Sequence, residues 1–374
     1  MKFKKGYFLI LAGVILCCIL TGCATYSFVG IKERLDRTKA QGYYIEGLEF
    51  VKQKKSWCGP AALASVLHFW GENINQDEIA RDIYLPNVKG TLTFDLENYA
   101  VKKDYFAQTL HSDIHHLGRK VKADIPVIVM YQILPIFKWY HYLVIFGYDD
   151  TDRVMLAYTG KQKPQIISYS NFIRKWKGAN NWMLVVCPPD KVTWELDAYY
   201  SNRLGLLYEK KGKLNLAKKS YENSLKIEPD NSTYAYNIGN IYLKEDNYRK
   251  AISFYEKAIT LDSEFADAYN NLAYSLCELK EDLDKAEKYI KRAIKLNPDN
   301  KIYYLDTLGV IYLNQGKIEK AISTYEEALK LSGSFNKETL SVIYQHLTEA
   351  LKRKGNFKEY KNYIDKMESL RGSN

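Results

Sequence analysis

The sequence has few cysteines for its length, and none stand at the short spacings typical of metal sites. Six occur in 374 residues, and two of these, Cys17 and Cys18, lie in an apolar N-terminal stretch. The other four are far apart and include no Cys-x-x-Cys pair: Cys23, Cys58, Cys187 and Cys277. This pattern disfavours both a zinc site and a disulfide framework. In an exported chain, an unpaired cysteine at the start of a helix instead indicates a thiol kept for chemistry.

The sequence also lacks an arginine-rich stripe, although its formal net charge is +10. A nucleic-acid-binding surface would concentrate basic residues on one face, whereas here they are interleaved with aspartate and glutamate. We therefore expect no nucleic-acid partner, and a mildly basic protein held near an anionic membrane is the plainer interpretation. No metal or cofactor is expected, since the adjacent His115 and His116 have no third ligand at metal spacing.

A third absence is that of a long apolar run. Residues 1–5 are basic, and residues 7–20 form an apolar stretch too short for a confident membrane span. The sequence Leu-Thr-Gly-Cys follows, ending at Cys23, and it resembles the bacterial lipobox. The resemblance implies that residues 1–22 are a lipoprotein signal peptide and that Cys23 is acylated and becomes the mature N-terminus. An ordinary secretory signal with a chance cysteine is the alternative.

Lipidation at Cys23 would make the protein an exported bacterial lipoprotein anchored in a membrane, because two or three acyl chains hold far better than one. Ala24 follows the cysteine, where an Asp would favour retention in the inner membrane. If the cell is Gram-negative, Ala24 therefore favours the outer membrane, with the protein facing the periplasm. Residues 23–43 are polar and mixed, which predicts a tether with a short helix.

Cys58 stands where a polar, turn-prone run ends and an apolar helical pattern begins. Leu63, Val66 and Leu67 recur at helical spacing, and Pro60 falls in the first turn, where proline is tolerated. The pattern predicts a helix from Cys58 to about residue 70. Unsatisfied N–H groups and the helix dipole favour a thiolate at that N-terminus, so we expect the pKa of Cys58 to lie below its ordinary value.

Residues 44–190 predict a domain in which helices precede strands. After several helical patterns, apolar β-branched runs predict strands at 125–131, 141–147, 153–158, 165–168 and 182–187. A helix is expected at 171–176, before the last strand. Helices followed by hairpin-connected strands are typical of an α+β domain. The pair Pro188-Pro189 then disfavours continuing the sheet.

Three motifs stand out in this domain. Gln53 to Ala62 reads Gln-x4-Cys-Gly-Pro-Ala-Ala, residues 126–129 read Pro-Val-Ile-Val, and His141 opens His-Tyr-x-Val-x-x-Gly-Tyr-Asp. Together they resemble the bacteriocin-processing leader peptidases of the papain superfamily, and specifically their free-standing relatives. The resemblance implies a papain-like fold in which Cys58 attacks the scissile carbonyl and His141, within hydrogen-bond reach, transfers the proton. It also implies that Gln53 and the backbone N–H of Cys58 hold the oxyanion.

The third member of the triad is missing from its usual place. In these peptidases an Asp, usually followed by Pro, orients the histidine from the next strand, but residues 157–159 contain no carboxylate. Asp149 and Asp150 follow His141, although both are typical of a hairpin turn, and Asp149 is kept as a tentative catalytic residue. Near Nδ1 of His141 we expect one of these carboxylates or a substitute on 157–159, such as Tyr158 or a backbone carbonyl.

Residues 196–370 repeat themselves with a period of 34: Gly205, Gly239 and Ala273 recur at that spacing. Small residues mark a second helix in each unit, and a larger residue follows each by four positions: Ala217 and Tyr221, Ala251 and Tyr255, Ala286 and Ile290, Ala321 and Tyr325. This is typical of the tetratricopeptide repeat, a pair of antiparallel helices. We expect about five units in an all-α solenoid, with a one-residue insertion near 281–284 and a capping last unit. Such a solenoid presents a groove for a peptide or a partner protein.

Two functions follow. The first is a membrane-anchored cysteine peptidase, or a related acyl-transfer enzyme, whose repeats bind the substrate or a partner. The second is a lipoprotein scaffold whose papain-like domain is catalytically silent and which acts through protein–protein interaction. The joint presence of Gln53, Cys58 and His141 favours the first, and the missing carboxylate is the main argument for the second.

The lipobox predicts that Cys23→Ser yields uncleaved or soluble protein, because the acylated residue and the processing site are lost together. Detergent extraction and the mass of the mature N-terminus measure this. A variant that stays membrane-bound and is cleaved at the same bond would contradict the lipoprotein assignment.

Overall fold

The computed structural model describes residues 27–37, 41–134, 139–161, 163–331 and 337–371. The predicted signal peptide and Cys23 lie outside these residues. The chain divides into two compact units between Thr193 and Trp194. Within the described residues, no helix is both long enough and apolar enough to cross a membrane.

The first unit is built on an antiparallel sheet of seven strands. They are β1 (Gly42–Tyr44), β2 (Phe106–His111), β3 (Val127–Leu134), β4 (Trp139–Asp149), β5 (Val154–Tyr158), β6 (Gln165–Ser168) and β7 (Trp182–Cys187). Their order is β2-β7-β3-β4-β5-β6, with β1 paired to β4 over Gly42–Tyr44. The five predicted strands are present, and the short β1 and the edge strand β2 were not predicted.

Strand β4 has different neighbours along its length. On one side, β3 pairs with β4 from Leu134 opposite Trp139 to Val127 opposite Ile145. From Gly147 onwards, β1 is the neighbour on that side. Pairing with β5 begins only at Val144–Tyr158. The first part of β4, which carries His141, therefore has no β5 partner, and this leaves room there for other groups to approach.

Six helices accompany the sheet within the described part of this unit. They are α1 (Phe28–Arg37), α2 (Cys58–Phe69), α3 (Gln76–Ile83), α4 (Thr93–Lys102), α5 (Ile114–Lys122) and α6 (Tyr169–Lys177). Helix α2 is the central one: all residues from Gly59 to Leu67 are buried. Since α2 packs against β4, burial fixes the position of its first residue, Cys58, relative to the sheet.

Helix α1 changes the interpretation of the predicted tether. Ile31 and Leu35 are 2% and 3% exposed and belong to the core of the first unit. Residues 28–37 are therefore packed on the domain and are not part of a free tether. The sequence looks polar there because only a narrow stripe, four residues apart on one helix face, is apolar.

The second unit consists of consecutive antiparallel helix pairs. They are α7 (Ala198–Lys210), α8 (Leu214–Ile227), α9 (Ser232–Lys244), α10 (Tyr248–Leu261), α11 (Ala266–Leu279), α12 (Leu283–Leu296), α13 (Lys301–Asn314), α14 (Ile318–Lys330), α15 (Lys337–Lys354) and α16 (Phe357–Arg371). A repeated close contact joins the helices of a pair. A Cβ added to Gly239 would stand 2.6 Å from Cε1 of Tyr255, and one added to Gly309 only 2.3 Å from Cε1 of Tyr325. The tyrosines that follow the small residues by four positions, Tyr221, Tyr255 and Tyr325, are therefore core residues.

The predicted insertion falls in the turn between α11 and α12. That turn has two residues with positive φ, Lys280 (55°) and Asp282 (43°). The equivalent turns after α9 and α13 each have one, Asp246 and Gly316. The extra residue is thus absorbed by a second left-handed position, and the helices on either side remain in register with the repeat.

Limited proteolysis is predicted to cut within about residues 188–197 and to leave two folded pieces. The segment lies between β7 and α7, and Lys191, Thr193 and Glu195 are exposed, so trypsin can reach the bond after Lys191. Mass spectrometry and circular dichroism of the separated pieces measure the result. One uncut unit that unfolds in a single cooperative transition would contradict it.

Candidate active site

Cys58 opens α2 beside the strand that carries His141. A turn leads into the helix, with the N–H of Trp57 donating to the carbonyl of Lys54 at 3.1 Å and Ser56 at a positive φ of 64°. The backbone N–H groups of Tyr142, Gly59 and Cys58 itself lie near enough to the sulfur of Cys58 to lower the pKa of its thiol. Because Tyr142 directly follows His141, the fold brings together two residues that lie 83 positions apart.

The approach of the helix to β4 depends on the absence of a side chain at Gly59. An added Cβ would stand 3.1 Å from Cβ of Thr91 and 3.4 Å from Cδ2 of Tyr142. The hydroxyl of Tyr142 donates to the carbonyl of Thr91 at 3.1 Å, which holds the ring in place. The Gly of the Cys-Gly-Pro motif is therefore needed for close packing next to the thiol.

The acidity of Cys58 differs from the expectation. Burial raises the pKa of its thiol, and the backbone N–H groups of Tyr142 and Gly59 lower it by less, so the pKa lies above its ordinary value. The prediction of a lowered thiol pKa was wrong. The N–H groups at the helix terminus do stabilise the thiolate, but the cost of removing it from water is larger. In this state the thiol is protonated at neutral pH.

His141 lies on β4 and is held by the segment that follows β5. Its Nε2 is 2.9 Å from the carbonyl oxygen of Thr159. Because a carbonyl only accepts, Nε2 carries the proton, and Nδ1 keeps the lone pair that a general base needs. Burial lowers the pKa of His141, the Thr159 carbonyl raises it, and the charge of Lys161 lowers it further, so the pKa lies below its ordinary value. The acceptor is on Nε2, not near Nδ1 as predicted.

Asp149 does not orient His141. It lies eight residues further along β4, which at about 3.3 Å per residue is about 26 Å away. Its buried carboxylate pairs with Arg34 of α1 and accepts from the N–H of Thr151 at 2.8 Å. Asp150 instead accepts from the hydroxyl of Tyr169 at 2.7 Å. Both carboxylates therefore form structural contacts at the β4–β5 turn. The tentative catalytic assignment of Asp149 is thus wrong.

Gln53 lies against the same segment as His141. Its N–H donates to the carbonyl of Gly160 at 3.4 Å, and a Cβ added to Gly160 would stand 2.0 Å from its Oε1. Gly160 has φ of +81°, a conformation that favours glycine. Residues 159 and 160 therefore position both Gln53 and His141. Sequence reasoning missed Gly160, although a glycine two residues after the end of a predicted strand was an available signal.

A cavity of about 610 Å³ lies at this site. Gln53, His141, Thr159 and Gly160 form part of its wall, together with residues of β6 and α6. Cys58 is half-buried and is not among the lining residues. Within the described residues, no group of three or more His, Cys, Asp or Glu side chains could hold a metal ion. His116, one of the adjacent histidines, forms a hydrogen bond through Nδ1 with Oγ of Ser112 at 2.7 Å.

The sheet with a helix-borne cysteine beside a strand histidine defines the class of a papain-like domain, and comparison with known families agrees. A model of the "Peptidase_C39 like family" matches residues 45–182. Three tetratricopeptide-repeat models match residues 198–231, 234–265 and 264–334. The first unit therefore contains a Peptidase_C39-like domain, and the second contains an array of tetratricopeptide repeats.

Individual relatives match only part of the chain. Human "Protein O-mannosyl-transferase TMTC3" is 30% identical over 145 residues, which is 37% of this chain and 16% of that protein. "Photosystem I assembly protein Ycf3" of Cyanophora paradoxa is 32% identical over 136 residues, 32% of this chain and 78% of that protein. Among solved structures, "Crystal structure of MamA protein" is 26% identical, with a TM-score of 0.39, and covers 46% of this chain and 91% of that one.

The raised thiol pKa predicts that alkylation of Cys58 by iodoacetamide keeps accelerating above about pH 8.5, the pKa of an ordinary thiol. The thiolate is the reactive form, and burial delays its formation to higher pH. Peptide mass spectrometry of the native protein across the pH range measures the rate at Cys58. Cys187 and Cys277 are fully buried and should stay unmodified, which provides the internal control. A rate that is already constant at neutral pH would contradict the prediction.

Proposed function

We propose that the chain is a membrane-anchored cysteine peptidase in which Cys58 and His141 hydrolyse a peptide bond and the repeats bind the substrate or a partner protein. The observation that carries the proposal is the state of His141. The Thr159 carbonyl accepts a hydrogen bond from Nε2–H of His141, so Nδ1 is left unprotonated as the base. His141 directly precedes Tyr142, whose backbone N–H lies at the sulfur of Cys58.

The reaction begins with proton transfer from the Cys58 thiol to Nδ1 of His141. The sulfur attacks the scissile carbonyl carbon, and the oxyanion accepts hydrogen bonds from the Gln53 amide and the backbone N–H of Cys58. Collapse breaks the C–N bond, and His141 gives its proton to the leaving amine. Water then attacks the thioester with His141 as base, which releases the acid and restores the thiol.

The neutral carbonyl of Thr159 takes the place that a carboxylate holds in the related peptidases. It fixes the ring and the tautomer, but it stabilises the imidazolium less than an anion would. Burial and the neighbouring Lys161 also disfavour the charged ring. We therefore expect a slow enzyme. Its rate should depend on how well groups of the substrate stabilise the charged form of His141.

The anchor and the repeats complete the proposal. Lipidation of Cys23 would place the peptidase on a membrane outside the cytoplasm, in the outer membrane and facing the periplasm if the cell is Gram-negative. The packed helix pairs of the second unit support a role in binding a peptide or protein partner. The proposal involves neither a nucleic acid nor a cofactor.

The alternative is a catalytically silent scaffold that acts through its repeats. The neutral acceptor on His141 and the raised pKa of the Cys58 thiol favour it. The two functions differ in whether Cys58 reacts with a peptide-like electrophile in the native protein.

The peptidase proposal predicts that Cys58→Ala abolishes turnover and that Gln53→Ala lowers it by about 10²–10³-fold, the typical effect of losing one oxyanion donor. Cleavage of a proteome-derived peptide library, read by mass spectrometry, measures turnover, and a biotinylated epoxide measures labelling of Cys58. The matched control is Cys277→Ala, which removes a buried thiol from the second unit and should change neither readout. Cleavage that survives Cys58→Ala, or a native protein that no epoxide labels, would favour the scaffold.

A further inference from the structure

The cavity beside His141 has a wall that the hydrolytic mechanism does not use. Besides Gln53 and His141, the cavity is lined by residues of β6, α6 and the loop after Gly160, of which the polar ones are Lys161, Gln165, Ser168, Asn171 and Lys175. These side chains are polar, and two of them are cationic. A volume of about 610 Å³ leaves room for a substrate side chain next to His141.

The charge of this wall has one sign. The fourteen lining residues include Lys161 and Lys175 but no aspartate or glutamate. Some other lysines of the same unit have carboxylate partners: Lys54 pairs with Asp77, and Lys102 with Asp82 at 3.2 Å. Within the described residues, Lys161 and Lys175 form no such pair. The cavity thus presents two ammonium groups that have no carboxylate counter-ion in the part of the chain that the structure describes.

Both ammonium groups are tied to the site. The ammonium of Lys175 lies 5.0 Å from the ring centroid of Tyr131, and that ring is 5.8 Å from the ring of His141. This cation–π contact holds Lys175 at the wall while leaving its donors free for a ligand. Lys161 follows Gly160, lines the cavity and lies near enough to His141 for its charge to lower the pKa of that ring.

We propose that this cavity is a subsite for a carboxylate of the substrate, so that the enzyme selects peptides with an acidic group close to the scissile bond. The inference rests on the proposed peptidase function. The group bound is either an Asp or Glu side chain or a peptide C-terminus, since both present the same carboxylate to Lys161 and Lys175.

Binding of a carboxylate would also act on the catalytic pair. Of the charged side chains around His141, Lys161 is the one that lowers the pKa of its ring. A bound carboxylate would offset that charge and make His141 a better acceptor for the Cys58 proton. An acidic substrate would therefore supply part of the negative charge that the missing Asp provides in the related peptidases.

The test uses peptidyl acyloxymethyl ketones that differ only in a Glu, Gln or Lys residue, scanned through the positions flanking the electrophile. The rate of labelling at Cys58 is read by intact-protein and peptide mass spectrometry. We expect Glu to label about tenfold faster than Gln at one position, the effect of a charge-assisted hydrogen bond, and the ratio to shrink as salt is added. Probes with a free or amidated C-terminus distinguish a terminal carboxylate from a side chain.

Variants of the cavity wall complete the test. Lys161→Gln combined with Lys175→Gln should remove the preference for Glu, and Lys175→Glu should shift it towards Lys. The matched control is Lys163→Gln, an exposed lysine two residues from Lys161 that does not line the cavity and should leave the preference unchanged. Equal rates for Glu, Gln and Lys would overturn the subsite alone. If iodoacetamide labels Cys58 but no peptidyl probe does, the peptidase proposal and the subsite both fall.

Discussion

The hydrogen bond from Nε2 of His141 to the Thr159 carbonyl decides how the rest of the site can work. It settles which ring nitrogen carries the proton, and so which one faces a thiol as a base. The next residue, Gly160, has a left-handed φ. Because it has no Cβ, it leaves room for the side chain of Gln53. One short segment after β5 therefore holds two of the three predicted site residues, and the burial of α2 holds the third, Cys58.

The site contains three of the seven buried side-chain atoms that have no hydrogen-bond partner among the described residues. They are Gln53 Oε1, Thr91 Oγ1 and Thr159 Oγ1. Each such atom typically costs about 1–3 kcal/mol. These three atoms lie around Cys58 and His141, and functional sites are where folded proteins tend to leave buried polar atoms unsatisfied. In the repeats, the hydroxyls of Tyr221 and Tyr255 are paired with Glu209 and Asn240, whereas the buried hydroxyl of Tyr325 has no partner among the described residues.

The two carboxylates after His141 show how a motif can mislead. Asp149 belongs to the His-Tyr-x-Val-x-x-Gly-Tyr-Asp motif, yet its partner is Arg34, 115 residues earlier in the chain. That arginine stands in α1, within the segment whose composition indicates a tether. Both misinterpretations have the same origin: α1 contributes only two buried apolar residues, so neither its docking nor its ion pair is visible as a pattern along the chain.

The sequence by itself determined whatever depends on local contacts. Repeating helix pairs, the helix that starts at Cys58 and the strand of His141 all follow from periodicities within a few tens of residues, and the observed elements match them. Only the tertiary structure decided the acidity of Cys58, the tautomer of His141 and the position of Asp149. These properties depend on burial and on partners such as Thr159 and Arg34, and residues that meet only after folding leave no periodic signal in the chain.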